Sequence, residues 1–272
     1  MHMPEIGIST AALYPAYLTE DALTKAAELG FPVVEVFLQS HQEYTPAFGI
    51  ELNKRRAAAG IKVHSLHLHS HYFELWSPYP RMLEEAQQHF LRTLDIANRL
   101  EAKALTWHGL RHGLSNPELI GIFLDSVAWA GERAHAAGIT LCIENVSWCY
   151  LRTSEQVQTF RDLGVPLGFT FDAFQAGESK VDPIELIHAM GDRLITVHLS
   201  DYDPAGPRHL PLGEGTLDWR SILNALEDID YRGPLILELA HVRSLDTLRQ
   251  SHRFMQEQVA LWVDSIYAGT QV

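Results

Sequence analysis

The chain has 272 residues, of which 34 are Asp or Glu and 21 are Lys or Arg, and its formal charge is −13. Such an acidic surface repels a phosphate backbone, so nucleic acid is a disfavoured partner. Two cysteines, Cys142 and Cys149, are too few for a disulfide framework, and the sequence shows neither a secretory signal pattern nor an apolar run long enough to cross a bilayer. We therefore expect a cytoplasmic protein that forms one domain over residues 1–272.

Eight short apolar segments alternate with helical patterns from one end of the chain to the other. The predicted strands are residues 6–10, 33–38, 62–69, 104–108, 140–146, 167–173, 194–200 and 234–240. Amphipathic patterns typical of helices include residues 20–29, 81–100, 117–137, 154–163, 219–228 and 246–267. A glycine stands between a helical pattern and the next apolar segment at Gly30, Gly60, Gly138 and Gly164, where a left-handed helix cap is expected.

Eight βα units in one chain favour an α/β fold in the form of a (β/α)8 barrel. Strands separated by helices pair in parallel, and a parallel sheet must be covered on its outer face. The alternative is an open, doubly wound sheet, but no Gly-x-Gly-x-x-Gly turn follows an early strand to support it.

Four polar residues stand one apiece at the ends of four successive predicted strands: Glu144, Asp172, His198 and Glu238. Side chains alternate along a strand, so the large apolar neighbours of these residues face the helices while the four face the barrel interior. The carboxyl ends of barrel strands converge on one rim, and three carboxylates with one imidazole suit Mn²⁺, Mg²⁺, Co²⁺ or Zn²⁺. The pattern predicts a divalent-metal site, against the alternative of four separate hydrogen-bonded polar residues.

Further histidines extend this ring of polar residues. His67 and His69 share the inward face of the third predicted strand, and His108 ends the fourth. They could hold a second metal ion, or they could form hydrogen bonds with substrate hydroxyls or with each other, and the sequence favours neither alternative. His209 could be a ligand, a substrate contact or a loop residue, and Glu35, in mid-strand, is expected to be a structural hydrogen-bonding group.

At these residues the chain resembles the xylose isomerase-like TIM-barrel superfamily, which includes sugar isomerases, ketose 3-epimerases, inosose dehydratases and endonuclease IV. The resemblance covers nearly the whole chain. The motifs that carry it are residues 29–35, Trp107-His108-Gly109, Ile143-Glu144-Asn145, Phe171-Asp172-Ala173, residues 197–201 and 212–215, Asp218-Trp219 and Leu237-Glu238.

The resemblance implies two different uses of these positions. In the epimerases, the residues matching Glu144, Asp172, His198 and Glu238 hold one Mn²⁺-type ion, and the two glutamates move protons on opposite faces of the sugar. In endonuclease IV, matching positions help to hold three zinc ions; here they are His67 or His69, His108, Glu144, Asp172, His198, His209 and Glu238.

Two departures separate these uses. The Asp-x-x-His element of the superfamily reads Asp172-Ala-Phe-Gln175 here, and the Asp-x-His element of endonuclease IV reads Pro207-Arg208-His209. Two of the three ligands to a third zinc ion are therefore missing. Gln175 would have to replace a histidine that often holds substrate in the epimerases, acting as a neutral hydrogen-bonding group.

We therefore expect a divalent-metal-dependent sugar or sugar phosphate isomerase of the ketose 3-epimerase or aldose–ketose type, acting in carbohydrate metabolism. Proton abstraction would proceed through an enediolate, with Glu144 and Glu238 as base and acid. The alternatives are an endonuclease IV-like phosphodiesterase on abasic DNA and a noncatalytic metal-containing sugar-binding barrel. The partners we expect are a small sugar or sugar phosphate and, as a candidate assembly, further copies of the same chain.

Other residues near the predicted strand ends bear on the substrate. Aromatic residues could stack on a sugar or pack in the core: Tyr72, Trp76, Trp107, Trp148 and Phe174. Cationic residues that follow the predicted strands could bind the phosphate group of a phosphorylated substrate: Arg111, Arg152, Lys180, Arg208 and Arg243.

Overall fold

The computed structural model describes residues 3–69, 73–114, 116–240, 242 and 244–269. Parallel strands close into a barrel in the order β1 to β8, each paired with its neighbours in sequence and β8 with β1. The strands are β1 Ile6–Ser9, β2 Val33–Phe37, β3 Lys62–His67, β4 Ala104–Trp107, β5 Thr140–Glu144, β6 Gly168–Asp172, β7 Leu194–Leu199 and β8 Leu235–Leu237. The predicted (β/α)8 barrel is confirmed, and the open sheet is excluded.

Helices follow the strands and cover the outside of the barrel. They are α1 Thr19–Glu28, α2 Pro46–Ala59, α3 Pro80–Arg99, α4 Pro117–Ala136, α5 Ser154–Asp162, α6 Ala173–Glu178, α7 Pro183–Met190, α8 Trp219–Asp228 and α9 Leu245–Gly269. Short 3-10 helices lie at Thr10–Leu13, His41–Glu43, His112–Leu114 and Gly191–Arg193. In the described part of the chain, no helix is long and apolar enough to cross a membrane.

The core lies between the strands and the helices. The outward-facing residues of β5 to β8 all pack in it, and they are Leu141, Ile143, Phe169, Phe171, Val197, Leu199 and Leu237. Each such side chain contributes roughly 1.5–3 kcal/mol by its burial. The polar residues at alternate positions are thereby turned to the barrel interior.

Three helices, α2, α6 and α7, have no predicted range, although the cap at Gly60 marked the end of α2. Helix α2 buries only Gly49 and Leu52, so its apolar pattern is weak. Helices α6 and α7 are short, and α6 begins directly at Asp172, inside what reads as a strand end. The predicted left-handed caps at Gly30, Gly60, Gly138 and Gly164 are confirmed by φ angles of 86°, 64°, 75° and 67°.

Two β-bulges interrupt the regular pairing of the barrel. Between β2 and β3, Val34 pairs with Val63 but Glu35 pairs with Ser65, so His64 is an extra residue. Between β6 and β7, the shift between Phe169 and Thr170 leaves Ile195 as the extra residue. A bulge changes where the following side chains point, so both matter for the barrel interior.

Candidate active site

The four strand-end residues come together at the carboxyl end of the barrel. Glu144 is the last residue of β5 and Asp172 the last of β6, His198 lies beside Asp172 in the register of β6 and β7, and Glu238 directly follows β8. One potential ligand atom from each lies within 4.8 Å of the others. Glu144, Asp172 and His198 are buried, and the side chain of Glu238 is 12% exposed.

The His198 ring links the two glutamates of this group. Its Nδ1 lies 3.2 Å from Glu144 Oε1 and 2.9 Å from Glu238 Oε2. Burial alone lowers the pKa of His198, but the carboxylates of Glu35, Glu238 and Glu144 raise it well above its ordinary value. Burial raises the pKa of Glu238, and the charge of His198 outweighs this and lowers it to about 2. The pKa of Glu144 also falls well below its ordinary value, because His108 and His198 outweigh the effect of burial.

Asp172 differs from Glu144 and Glu238 because one of its buried oxygens has no hydrogen-bond partner among the described residues. Its Oδ1 accepts a hydrogen bond of 2.7 Å from the backbone N–H of Gln175 and caps α6. Its Oδ2 is buried and has no hydrogen-bond partner among the described residues. Burial, together with the charges of Glu144 and Glu238, raises the pKa of Asp172 well above its ordinary value. A buried carboxylate oxygen without a partner is costly, and a divalent cation would satisfy it.

Asn145 fixes the backbone at this point. Its side-chain Nδ2 donates to the Asp172 carbonyl at 2.9 Å, and the Asp172 N–H donates to Asn145 Oδ1 at 2.8 Å. This pair of bonds joins the ends of β5 and β6, so it sets the separation of Glu144 and Asp172. Sequence reasoning used Asn145 only as part of a motif and missed this role. The signal available was a polar residue directly after a strand-end glutamate.

A second group of potential ligands adjoins the first through Glu144. Glu144 Oε2 lies 3.1 Å from His67 Nε2 and 2.9 Å from His108 Nε2, and the two Nε2 atoms are 3.1 Å apart. Burial lowers the pKa of His67, but the hydrogen bond to Glu144 and the charge of Glu35 raise it above its ordinary value. Glu144 thus presents one oxygen to each group, since its Oε1 faces His198.

The donor set fits a divalent cation at the first group. Glu144, Asp172 and Glu238 offer hard carboxylate oxygens, and His198 offers Nδ1, which is the combination typical of Mn²⁺, Mg²⁺, Co²⁺ and Zn²⁺ sites. The unsatisfied Oδ2 of Asp172 is the atom that most needs such a partner.

A cavity opens beside Glu238 at the same end of the barrel. Its volume is about 440 Å³, which is within the range of small-molecule sites. Its lining residues are Ala11, Tyr14, Pro15, His209, Glu238, Leu239, Ala240 and Val242. A mostly apolar wall with one carboxylate and one imidazole can hold a small organic molecule against Glu238.

A family model described as a xylose isomerase-like TIM barrel matches residues 23–258. The chain belongs to this family.

Curated relatives and solved structures agree with the assignment. The chain is 23% identical over 258 residues to the putative L-ribulose-5-phosphate 3-epimerase SgbU of Escherichia coli, covering 88% of this chain and 90% of that protein. It is 22% identical over 255 residues to the L-ribulose-5-phosphate 3-epimerase UlaE of Salmonella heidelberg, covering 86% of each.

Two solved structures have the same fold. A D-tagatose 3-epimerase-like protein superposes with a TM-score of 0.83 at 20% identity, covering 96% of this chain and 99% of that one. An L-ribulose 3-epimerase superposes with a TM-score of 0.80 at 20% identity, covering 98% of both chains.

His69 lies beyond the end of β3, although the sequence predicted it to be on the third strand. The third strand ends at His67, not at residue 69, so the alternation that would turn His69 inward stops before it. Its backbone N–H donates to the Tyr44 hydroxyl at 2.9 Å, and its ring packs edge-on against that of Phe37, with the ring centroids 5.8 Å apart. Among the described residues, it belongs to none of the groups that could hold a metal ion.

Gln175 and His209 both lie close to the site. Gln175 is buried, and its side-chain oxygen accepts a hydrogen bond of 2.9 Å from the Ser147 N–H. His209 packs its ring 4.2 Å from that of Phe174, and its Nδ1 lies 2.9 Å from Ser200 Oγ. Burial lowers the pKa of His209, although Glu238 opposes this, so the ring faces the cavity uncharged at neutral pH.

The aromatic and cationic residues that the sequence offered as substrate contacts lie partly in the hydrophobic core and partly near the carboxyl ends of the strands. Trp107 is buried outside the barrel against Phe123 and Trp76, so it is a core residue. Trp148 lies between His108 and Arg111: its ring centroid is 5.3 Å from that of His108 and 5.5 Å from Arg111 Cζ. Two of the remaining candidates contact other side chains near the site: Phe174 packs against the His209 ring, and Arg208 forms an ion pair of 3.0 Å with Glu178. Arg152 contacts His112, and Lys180 is exposed. Tyr72 and Arg243 lie outside the described residues.

Proposed function

We propose that this protein is a divalent-metal-dependent sugar epimerase that inverts the carbon next to a ketose carbonyl. The observation that carries the proposal is the placement of two ionised glutamates, Glu144 and Glu238, against the same edge of His198, beside the unsatisfied oxygen of Asp172. Family membership supports it, as do curated relatives named as L-ribulose-5-phosphate 3-epimerases.

Glu144, Asp172, His198 and Glu238 would hold the ion. When bound, it supplies Lewis-acid chemistry that polarises the substrate carbonyl and makes the adjacent C–H more acidic. Two further groups of described residues could hold an ion: His67 with His108 and Glu144, and Glu35 with His67, His198 and Glu238.

The two glutamates would move the protons. Epimerisation requires one group to take the carbon-bound proton and another to deliver a proton to the opposite face. Glu144 and Glu238 reach the site from different strands and are ionised at neutral pH, so one of them can take the carbon-bound proton. The other must first gain a proton, from solvent or from a protonated histidine, before it can deliver one to the opposite face. Positioned proton transfer of this kind contributes about 10² to 10⁴ in rate. His67 Nε2, 3.1 Å from Glu144 Oε2, is placed to exchange a proton with that carboxylate.

The cavity beside Glu238 would hold the sugar. His209, uncharged and fixed by Ser200, offers a hydrogen-bonding ring nitrogen, while Leu239 and Ala240 cover the apolar face of the substrate. We propose a ketose or ketose phosphate as the substrate class, and a location in the cytoplasm, which two unpaired cysteines support.

The test is a panel of ketoses and ketose 5-phosphates incubated with Mn²⁺-loaded protein in deuterated water. Proton NMR should show loss of the signal from the hydrogen on the carbon next to the carbonyl, with formation of the epimer, and neither should occur with Asp172→Ala. If the protein holds Mn²⁺ but exchanges no carbon-bound hydrogen in any member of the panel, the epimerase proposal is wrong.

A further inference from the structure

Glu35 is a buried carboxylate beneath the strand-end group. It lies on β2 and is completely buried. Its Oε2 accepts hydrogen bonds from Ser65 Oγ at 2.8 Å and from Thr106 Oγ1 at 3.3 Å, and it lies 3.0 Å from His198 Nε2. Its Oε1 is buried with no hydrogen-bond partner among the described residues. One oxygen of the carboxylate therefore carries all of these contacts.

The β-bulge between β2 and β3 produces this arrangement. Because His64 is the extra residue, Glu35 is set opposite Ser65, whose hydroxyl donates to it. Bulges often occur next to active sites, where they change the direction of a side chain. Glu35 and His198 come from β2 and β7, so this contact crosses the barrel interior.

Hydroxyl donors alone do not explain a carboxylate at this position. A buried charge costs several kcal/mol unless a charged or strongly polarised group faces it. Ser65 and Thr106 would serve an uncharged side chain equally well, whereas His198 is the group with which a carboxylate makes a charge-assisted hydrogen bond.

The contact also distinguishes the two nitrogens of His198. A carboxylate can only accept a hydrogen bond, so Nε2 must carry the proton that faces Glu35. Nδ1, on the opposite edge, faces the carboxylates of Glu144 and Glu238, and a cation bound among those carboxylates would take the place of the proton on Nδ1. Carboxylates that hold the far nitrogen of a metal-binding histidine fix the orientation of the ring and increase its basicity.

We infer that Glu35 is a positioning residue of the metal centre, which holds His198 through Nε2–H so that Nδ1 is presented to the ion. This inference rests on the proposed function, because it requires a divalent ion at His198. Glu35 acts through His198.

The experiment compares Co²⁺ binding by the wild type, Glu35→Gln and a matched control, Thr106→Val. The control removes a hydrogen bond to the same carboxylate oxygen from an equally buried position without touching His198. Affinity is measured by competition with a chelator, and the coordination of Co²⁺ by its visible absorption. Glu35→Gln should lower the affinity by about 10- to 100-fold and change the absorption spectrum, while Thr106→Val should leave both near the wild-type values.

Equal Co²⁺ affinity and spectra in all three proteins would overturn the inference and leave the proposed function standing. A wild type that binds no Co²⁺ would overturn the proposed metal centre itself. A measurement on the wild type alone covers the case in which Glu35→Gln does not fold: in crystals soaked with Zn²⁺, the ion should bind His198 Nδ1 while Nε2 stays within hydrogen-bond distance of Glu35. Zinc bound to Nε2 or directly to Glu35 would contradict the positioning role.

Discussion

Asp172 and His198 lie side by side in the register of β6 and β7, and their side chains are in opposite electrostatic situations. His198 Nδ1 has two glutamate oxygens within 3.2 Å, whereas Asp172 Oδ2 is buried with no hydrogen-bond partner in the described part of the chain. Three carboxylates converge on one imidazole in this group. The protein therefore folds with an excess of negative charge that a divalent cation would balance.

This imbalance predicts opposite effects of Asp172→Asn on stability and on metal affinity. At neutral pH the charged form of Asp172 is disfavoured by burial and by its neighbours, so a neutral amide should raise the melting temperature of the metal-free protein. The amide oxygen can still accept from the Gln175 N–H. The same change should weaken Mn²⁺ binding. Thermal unfolding with and without Mn²⁺ checks both effects, and a metal-free variant less stable than the wild type would argue against an unfavourable environment for the Asp172 carboxylate.

Proton release provides a second prediction. In the metal-free protein the pKa values of His198 and Asp172 are both raised, so each holds its proton to a higher pH than an isolated group would. Metal ligands must lose these protons, so binding should release protons and the affinity for Mn²⁺ should rise with pH. Titration calorimetry in buffers of different ionisation enthalpy measures the number released. Binding enthalpies that do not depend on the buffer would contradict the assignment of these ligands.

Substitutions of the two proposed proton-transfer residues should lower turnover much more than they lower metal binding. Glu144→Gln and Glu238→Gln each keep an oxygen ligand but lose the group that accepts a proton. We expect turnover to fall by about 10² to 10⁴, with a much smaller loss of metal. Deuterium exchange and metal content are measured on the same samples. If turnover falls only in proportion to metal content, the glutamates are ligands without a part in proton transfer.

A phosphodiesterase on abasic DNA should be excluded by metal count and activity together. By the resemblance to endonuclease IV, Pro207 and Gln175 stand where a third zinc site would have ligands, and the Gln175 side-chain oxygen accepts a hydrogen bond from the Ser147 N–H. The formal charge of −13 also opposes DNA binding. We expect at most two metal ions per chain and no incision of an abasic duplex at physiological salt. Three zinc ions together with metal-dependent cleavage would favour the endonuclease alternative.

His89 provides a prediction about stability away from the site. Burial lowers its pKa from 6.5 to about 4, and its ring packs against Tyr44 and Phe73. Below pH 6.5 the unfolded chain binds a proton at this residue that the folded protein does not accept, so stability falls as the pH drops from 6.5 towards 4. Wild type should lose more stability over this window than His89→Gln, by chemical denaturation. Exposed His135, changed to Gln, is the control, and equal slopes for all three proteins would contradict the prediction.

The barrel and the strand-end group could be predicted because both depend on regular alternation. Each strand from β5 to β8 has one acidic or imidazole residue at or next to its carboxyl end and apolar residues on its outer face. A period of two was therefore enough to place Glu144, Asp172, His198 and Glu238 near one another.

The parts that could not be predicted are those where the alternation fails. The bulge at His64 sets Glu35 opposite Ser65, and β3 ends before His69. The pattern of apolar residues indicates neither the bulge nor the end of the strand. The bonds from Asn145 to the Asp172 backbone depend on contacts between neighbouring strands, which a single sequence does not show.

Anomalous diffraction from crystals grown with Mn²⁺ tests the metal centre most directly. We expect an anomalous peak from an ion bound to Glu144, Asp172, Glu238 and Nδ1 of His198, with Asp172 Oδ2 among the ligand atoms. A fully loaded crystal whose manganese lies elsewhere, with Asp172 Oδ2 still without a partner, would contradict it.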